Sequence, residues 1–436
     1  MSGSGGWAVA AVAAVTGGYA LVSRSPATSF VSAPMVFTVA GVLIGPAGLG
    51  LLDLERDSGP VLALAEAALV LVLFTDAATV RSEEFRSGWF LPVRLLVVGL
   101  PLTIAGGGLL AWALLPGLTG WEPVLVGLIL APTDASVSKA AVFAPRIPAV
   151  VRHGLNAECG LNECLVLPVF AVLLATLPGT PASHQGVTGI LRHVLLLSPL
   201  LGLVAGGLGG MLLSRSWAAG WVTRDWRPIL PLALAAGSGA LAAAMGGSPF
   251  VAAWVTGFAF AAALRAGPPP GSVPEAGDDT LGPVEHLAAL LASLGFLVFG
   301  AVLLGPALAH LDPHVIAYAV LSLTAVRALP TALALVGSRL SPATVAYTAW
   351  FGSRGLPSIV LGLVVAAEEA PGARAMGTAI AVTVGLGILL HGASSVPLAE
   401  RYGRWYAAAA SRRPSLRESV AGSLPGEHPL PEWRRR

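Results

Sequence analysis

The chain has 436 residues, of which 55% are hydrophobic and only 11% charged, with a mean hydropathy of +0.78 and a formal net charge of +2. Soluble domains carry about a quarter charged residues, so the composition excludes a water-soluble globular protein. A net charge this small gives no sign of a nucleic-acid partner. What remains is an all-α polytopic membrane protein, because a chain in lipid must satisfy its backbone polar groups internally.

Apolar runs recur from Trp7 to Leu398, and a helix of about 20 residues crosses a hydrocarbon core of about 30 Å. Thirteen spans are expected, at 7–23, 30–52, 60–80, 91–115, 121–145, 156–178, 189–214, 228–246, 249–268, 283–310, 314–338, 341–367 and 373–399. The first run lacks a basic leading segment and reads as a span, not as a cleaved signal. With the N-terminus outside, the loops after odd spans hold Arg24, Arg81, Arg86, Arg146, Arg152, Arg215, Arg224, Arg227, Arg265 and Arg339. The opposite side holds only Arg56, Arg192 and Arg374. The positive-inside rule therefore puts the N-terminus out and the C-terminus in the cytoplasm of a cell membrane. Residues 1–400 form the membrane domain. Residues 401–436, rich in Pro, Ser, Gly and Arg, read as a disordered cytoplasmic tail whose arginines meet anionic lipid. Gly267 to Asp279 reads as a linker between halves.

Charges inside spans are costly and default to function. Span 3 carries Glu66 and ends on Thr75-Asp76, where Asp76, beside Arg81, reads as a cap or a surface pair. Span 5 carries Asp134 in LAPTDASVSK, with Lys139 reaching for the interface. Span 6 carries Glu158 and Glu163 in NAECGLNECLVLP, span 11 carries Arg327, and span 12 carries Arg354 in WFGSRGLPS. The cysteines, Cys159 and Cys164, lie five apart on one helix and do not point to a disulfide or a metal site.

Span 5 is expected to be broken at Pro132, where Thr133, Asp134, Ser136 and Ser138 recapture freed backbone groups. Span 12 shows the same signature at Gly352, Gly355 and Pro357. Two discontinuous helices seven spans apart predict inverted repeats, spans 1–6 answering 8–13 across span 7, with the two breaks crossing at the substrate site. On span 6, Glu158 and Asn162 are i and i+4, as are Cys159 and Glu163. Two carboxylates so close repel unless one is neutralised, so one should pair with Arg327 or Arg354 while the other titrates. A carboxylate without a fixed partner takes either a proton or a cation, and that competition suffices for exchange. His391 reads as a packed polar residue. No nucleophile with an adjacent base and no phosphate loop appears, which argues against an enzyme and a cofactor.

PTDAS, NAECGLNECLVLPV, WFGSRGLPSIVLGL and LLHGASSVPLAERYG, in that order, resemble the monovalent cation–proton antiporters of the NhaP/NHE type. FTDA and PFVAAWVTGFAF are similar too, so the likeness covers spans 2 to 13. The resemblance implies alternating-access exchange of Na⁺ or K⁺ for H⁺, a role in pH homeostasis and a homodimer. It implies that Asp134 and Glu163 bind the cation or proton, that Thr133 and Asn162 shape the site, and that Glu158 bridges to Arg327. It also places Glu66 near the site and Arg354 in the family's Gly-x-Arg-Gly segment. Two departures stand out: the family's usual Asp is Glu163 here, and a common Ser is Cys159, a poorer ligand for a hard cation. The alternatives are an organic-anion symporter, with Arg354 and a helix N-terminus receiving a carboxylate, and a membrane regulator or channel-like protein without transport.

Overall fold

The computed structural model describes residues 3–23, 31–51, 59–80, 89–176, 187–266, 280–309, 311–367, 372–413 and 416–420. Among these residues there are helices and no strands. In chain order they are α1 Gly3–Val22, α2 Ala33–Ile44, α3 Gly59–Thr79, α4 Phe90–Leu114, α5 Glu122–Ile129, α6 Lys139–Phe143, α7 Ala149–Thr176 and α8 Thr188–Ala218. Then follow α9 Ile229–Ala244, α10 Pro249–Arg265, α11 Gly282–Leu308, α12 Pro313–Leu323, α13 Ala325–Ala334, α14 Pro342–Trp350, α15 Leu356–Ala367, α16 Ala373–Arg412 and α17 Arg417–Val420. Seven described helical segments are long and apolar enough to cross a membrane, and shorter apolar helices accompany them. The molecule is a multi-pass membrane protein.

Local sequence explains where the helices depart from regularity. Three of them contain a π-helical turn, at Leu95–Gly99, His193–Leu197 and Gly300–Leu304, and each is followed within two residues by a proline: Pro101, Pro199 and Pro306. Proline has no N–H for the usual bond, and one wider turn absorbs the mismatch. α12 and α13 are parted at Thr324, whose φ of −107° and ψ of −85° leave the helical region.

Close packing rests on small residues. Gly202, Gly206 and Gly210 repeat every four positions along α8, and a Cβ at Gly206 would stand 2.2 Å from the Thr256 carbonyl of α10. In lipid such backbone approach replaces the hydrophobic drive that water supplies. The opposite side of α8 presents Leu200, Leu203, Leu208 and Leu212 outward. The largest buried apolar cluster draws on α3, α5, α7, α11, α15 and α16, and these helices surround the two interruptions.

Two expected boundaries move. α7 begins at Ala149, not at 156, because the stretch after Pro148 continues straight into helix. α16 runs to Arg412, past the expected end at 399, since the alanines at 407–410 are the strongest helix formers and no proline follows Pro397 before 414. The first part of the expected disordered tail is therefore helix. The linker 267–279, the segment 421–436 and Arg24, Arg56, Arg81 and Arg86 lie outside the described residues.

Candidate functional site

The site is built on two interruptions and the middle of α7. Between α5 and α6 the chain leaves the helix from Leu130 to Ser138, and between α14 and α15 it does so from Phe351 to Gly355. The interruptions meet. The Asp134 N–H donates to the Ser353 carbonyl at 2.8 Å, and the Ser353 hydroxyl donates to the Asp134 carbonyl at 2.6 Å. The hydroxyls of Ser138 and Ser353 are 3.0 Å apart, and Ser358 on α15 donates to the free Ile129 carbonyl at the end of α5, at 2.7 Å. Backbone groups orphaned by each break are thus satisfied by the other, as a low-dielectric interior demands.

Asp134 sits at this junction as a cap. Its Oδ2 accepts the Leu356 N–H at 3.0 Å, at the start of α15, and its Oδ1 accepts the Ser136 N–H at 2.7 Å. A carboxylate at a helix N-terminus meets both unsatisfied N–H groups and the positive end of the dipole. The fit requires glycine at 355, where a Cβ would stand 1.9 Å from Asp134 Oδ2.

Thr133 and Asn162 are brought together. Asn162 Nδ2 donates to Thr133 Oγ1 at 2.9 Å and to the Thr133 carbonyl at 3.3 Å, and Cys159 Sγ lies 3.3 Å from Thr133 Oγ1. α7 thereby holds the unwound strand of α5–α6. Glu163, one residue further on, is 4% exposed, and its Oε2 has no hydrogen-bond partner among the described residues. It lines a narrow cleft with Leu69, Leu73, Pro132, Val166, Pro357 and Leu361. Asp76, read from sequence as a cap or a surface pair with Arg81, is half-buried on α3 with its carbonyl against Gly160 of α7, and Arg81 lies outside the described residues.

Glu158 and Arg327 form a second centre. Nη1 donates to Oε1 at 2.7 Å and Nη2 to Oε2 at 3.0 Å, with the side chains 3% and 2% exposed. The bidentate fork is the strongest geometry this pair has. Gly352 makes room for it, since a Cβ there would meet Arg327 Nε at 2.4 Å. Arg354 is fully buried; its Nη1 donates to the Gly352 carbonyl, while Nε and Nη2 have no acceptor among the described residues. His391 is buried, edge-on to Trp350 with centroids 5.5 Å apart.

Glu66 is half-buried on α3, on the face of Leu69 and Leu73, and no hydrogen bond or ion pair among the described residues joins it to the cluster. Lys139 is exposed at the start of α6. The sequence reading missed Glu122 at the start of α5, 2% exposed, which accepts the Thr119 N–H and the Gly372 N–H, each at 2.8 Å. Among the described residues no three His, Cys, Asp or Glu side chains converge as a metal cage.

Fold and site together define a multi-pass helical membrane protein with unequal carboxylates buried where two interrupted helices touch. The fold resembles that of the sodium proton antiporter MjNhaP1 from Methanocaldococcus jannaschii at pH 8, with a TM-score of 0.73 at 19% identity over 92% of this chain and 98% of that one. A Na(+)/H(+) antiporter of Saccharomyces cerevisiae is 27% identical over 148 residues, 32% of this chain and 15% of the relative. A probable Na(+)/H(+) antiporter of Schizosaccharomyces pombe is 24% identical over 207 residues, 45% of this chain and 27% of the relative. The chain thus matches only a minor part of these relatives' length. The family model for the transmembrane part of sodium/hydrogen exchangers matches residues 11–401, and the chain belongs to that family.

Proposed function

We propose that the protein exchanges an alkali cation, Na⁺ or K⁺, for protons across the cell membrane, with Glu163 as the group at which the two compete. The observation that carries this is the Oε2 of Glu163, which has no hydrogen-bond partner among the described residues and lies beside a cleft whose described lining holds no Lys or Arg. A buried carboxylate in that state is stable only when protonated or when a cation neutralises it, and it cannot do both. Asp134 contributes charge while its oxygens hold the α15 N-terminus; Thr133 and Asn162 shape the approach. The Glu158–Arg327 pair is the fixed counterpart that leaves Glu163 free to change state.

On this reading the helices make thirteen crossings arranged as inverted repeats, the two interrupted spans cross, and residues 1–400 form the transporting domain. Alternating access moves a core containing α5, α6, α7, α14, α15 and α16 against the remaining helices in a homodimer, with the N-terminus outside and the C-terminus in the cytoplasm. An organic-anion symporter on this architecture needs an open helix N-terminus for the substrate carboxylate. At α15 that place is filled by Asp134, which favours cation exchange.

Replacing Glu163 by Gln tests the reading. In everted vesicles the variant should give no alkali-dependent recovery of a quenched pH dye, and exchange at the parental rate would overturn the assignment.

A further inference from the structure

The short helix α17 is joined to the site through α14. Its Glu418 is 1% exposed, and Oε1 accepts the Ser341 N–H at 2.8 Å and the Thr344 hydroxyl at 2.7 Å. Ser341 is the N-cap residue of α14, its hydroxyl accepting the Thr344 N–H at 3.3 Å, so Glu418 supplies a second acceptor to the first turn of that helix. Tyr402 of α16 completes the cluster, its hydroxyl 2.8 Å from Thr344 Oγ1 and its ring stacked on Tyr347 with centroids 4.3 Å apart. Arg417, beside Glu418, donates to the Ser338 carbonyl at 2.5 Å and lies 4.0 Å over the Phe90 ring of α4. α17 rests against α7 as well. Burial opposes ionisation of Glu418, but the Ser341 N–H and the Thr344 hydroxyl outweigh it and hold the carboxyl below its ordinary range.

α14 has nine residues, which at 1.5 Å each is about 14 Å of helix. Its other end opens directly into Phe351–Gly355, the interruption whose Ser353 is bonded to Asp134. A restraint on the first turn of α14 is therefore one short rigid element away from the carboxylates. We infer that Glu418 is a positioning residue for exchange: docked on Ser341 and Thr344, it fixes the half-helix that carries Ser353 and so biases the geometry of the Asp134 junction. The inference rests on the exchange reading above and adds to it that residues 416–420 act on the site.

The test is alkali-driven proton flux in proteoliposomes, paired with amide hydrogen exchange over 341–350, for the full chain, Glu418→Ala, Glu418→Gln, Thr344→Val, and chains ended after 415 and after 420. Glu418→Ala and the chain ended after 415 should raise hydrogen exchange over 341–350. They should also move the cation concentration for half-maximal flux by about threefold or more, the scale on which one hydrogen bond biases an equilibrium. The chain ended after 420 should behave as the parent, and Glu418→Gln, which keeps an acceptor oxygen, should restore part of the protection. Thr344→Val combined with Glu418→Ala should fall short of the sum of the two, because they share one bond. Unchanged half-saturation and unchanged protection in Glu418→Ala, with the parent active, would overturn the inference. So would a lowered maximal rate and protein yield at constant half-saturation, which is what a merely structural contact gives. A parent without alkali-driven flux would instead remove the exchange reading, leaving the hydrogen-exchange comparison to decide whether Glu418 holds α14.

Discussion

Two sides of α7 carry the same residue type in opposite states. Glu158 has both carboxylate oxygens engaged by the fork of Arg327, whereas Glu163, five residues along and turned to another face, keeps Oε2 beside a cleft without a hydrogen-bond partner among the described residues. Burial is the same within a per cent, 3% against 4%, so desolvation does not separate them. The partner does. A buried carboxylate with a matched guanidinium is held in one charge state and serves as a strut; one without is left to whatever cation the solution supplies.

The largest test of that contrast is to neutralise each carboxylate in turn. Glu163→Gln should eliminate exchange while leaving thermal unfolding in detergent close to the parent, since an amide fills the same space. Arg327→Ala should act in the other direction. It strands Glu158 in the core and should lower unfolding stability by about 3–5 kcal/mol, and Glu158→Leu with Arg327→Met should recover most of it. A stable Arg327→Ala protein would mean that Glu158 is not fixed by this pair. Next in size is Gly355→Ala, whose Cβ would occupy the place of Asp134 Oδ2. Loss of the Leu356 bond should weaken the junction by about 1–3 kcal/mol and slow flux at every cation concentration. The smallest expected effect is that of Cys159→Ser, which replaces a soft neighbour of Thr133 by a hard oxygen. It should shift the half-saturating Na⁺ concentration by a few-fold with stability unchanged, and a selectivity series across Li⁺, Na⁺ and K⁺ reads it.

Much of this was legible in the chain because it depends on local chemistry. Pro132 and the group Gly352, Gly355, Pro357 mark the interruptions by removing donors and side chains at fixed points, and the i,i+4 relation of Glu158 to Asn162 sets out the polar face of α7. What escaped depends on partners far off in sequence. Residue types alone offered Glu158 two arginines; the resemblance singled out Arg327, and the structure joins that pair across 169 positions. Asp134 was read as an exchange group, but its bond to Leu356 spans 222 positions, and no local pattern announces a cap supplied from so far away. Glu122 and Glu418 escaped for the same reason, each being a lone acid near a helix start whose acceptor role appears only when Gly372 or Ser341 comes near. The expected partner of Asp76, Arg81, lies outside the described residues, and what the structure shows is the Asp76 carbonyl against Gly160 of α7.

The bonds between Asp134 and Ser353 also constrain how such a chain can change over time. Each residue completes the backbone of the other, and Gly355 clears the space that Asp134 needs, so the three positions behave as one inherited character. Substituting Ser353 frees the Asp134 carbonyl, substituting Asp134 frees the Leu356 and Ser136 N–H groups, and a side chain at 355 displaces Asp134 Oδ2. Variation in ion preference should therefore accumulate at Cys159 and Glu163, on a helix with an unbroken backbone of its own, while the junction stays still.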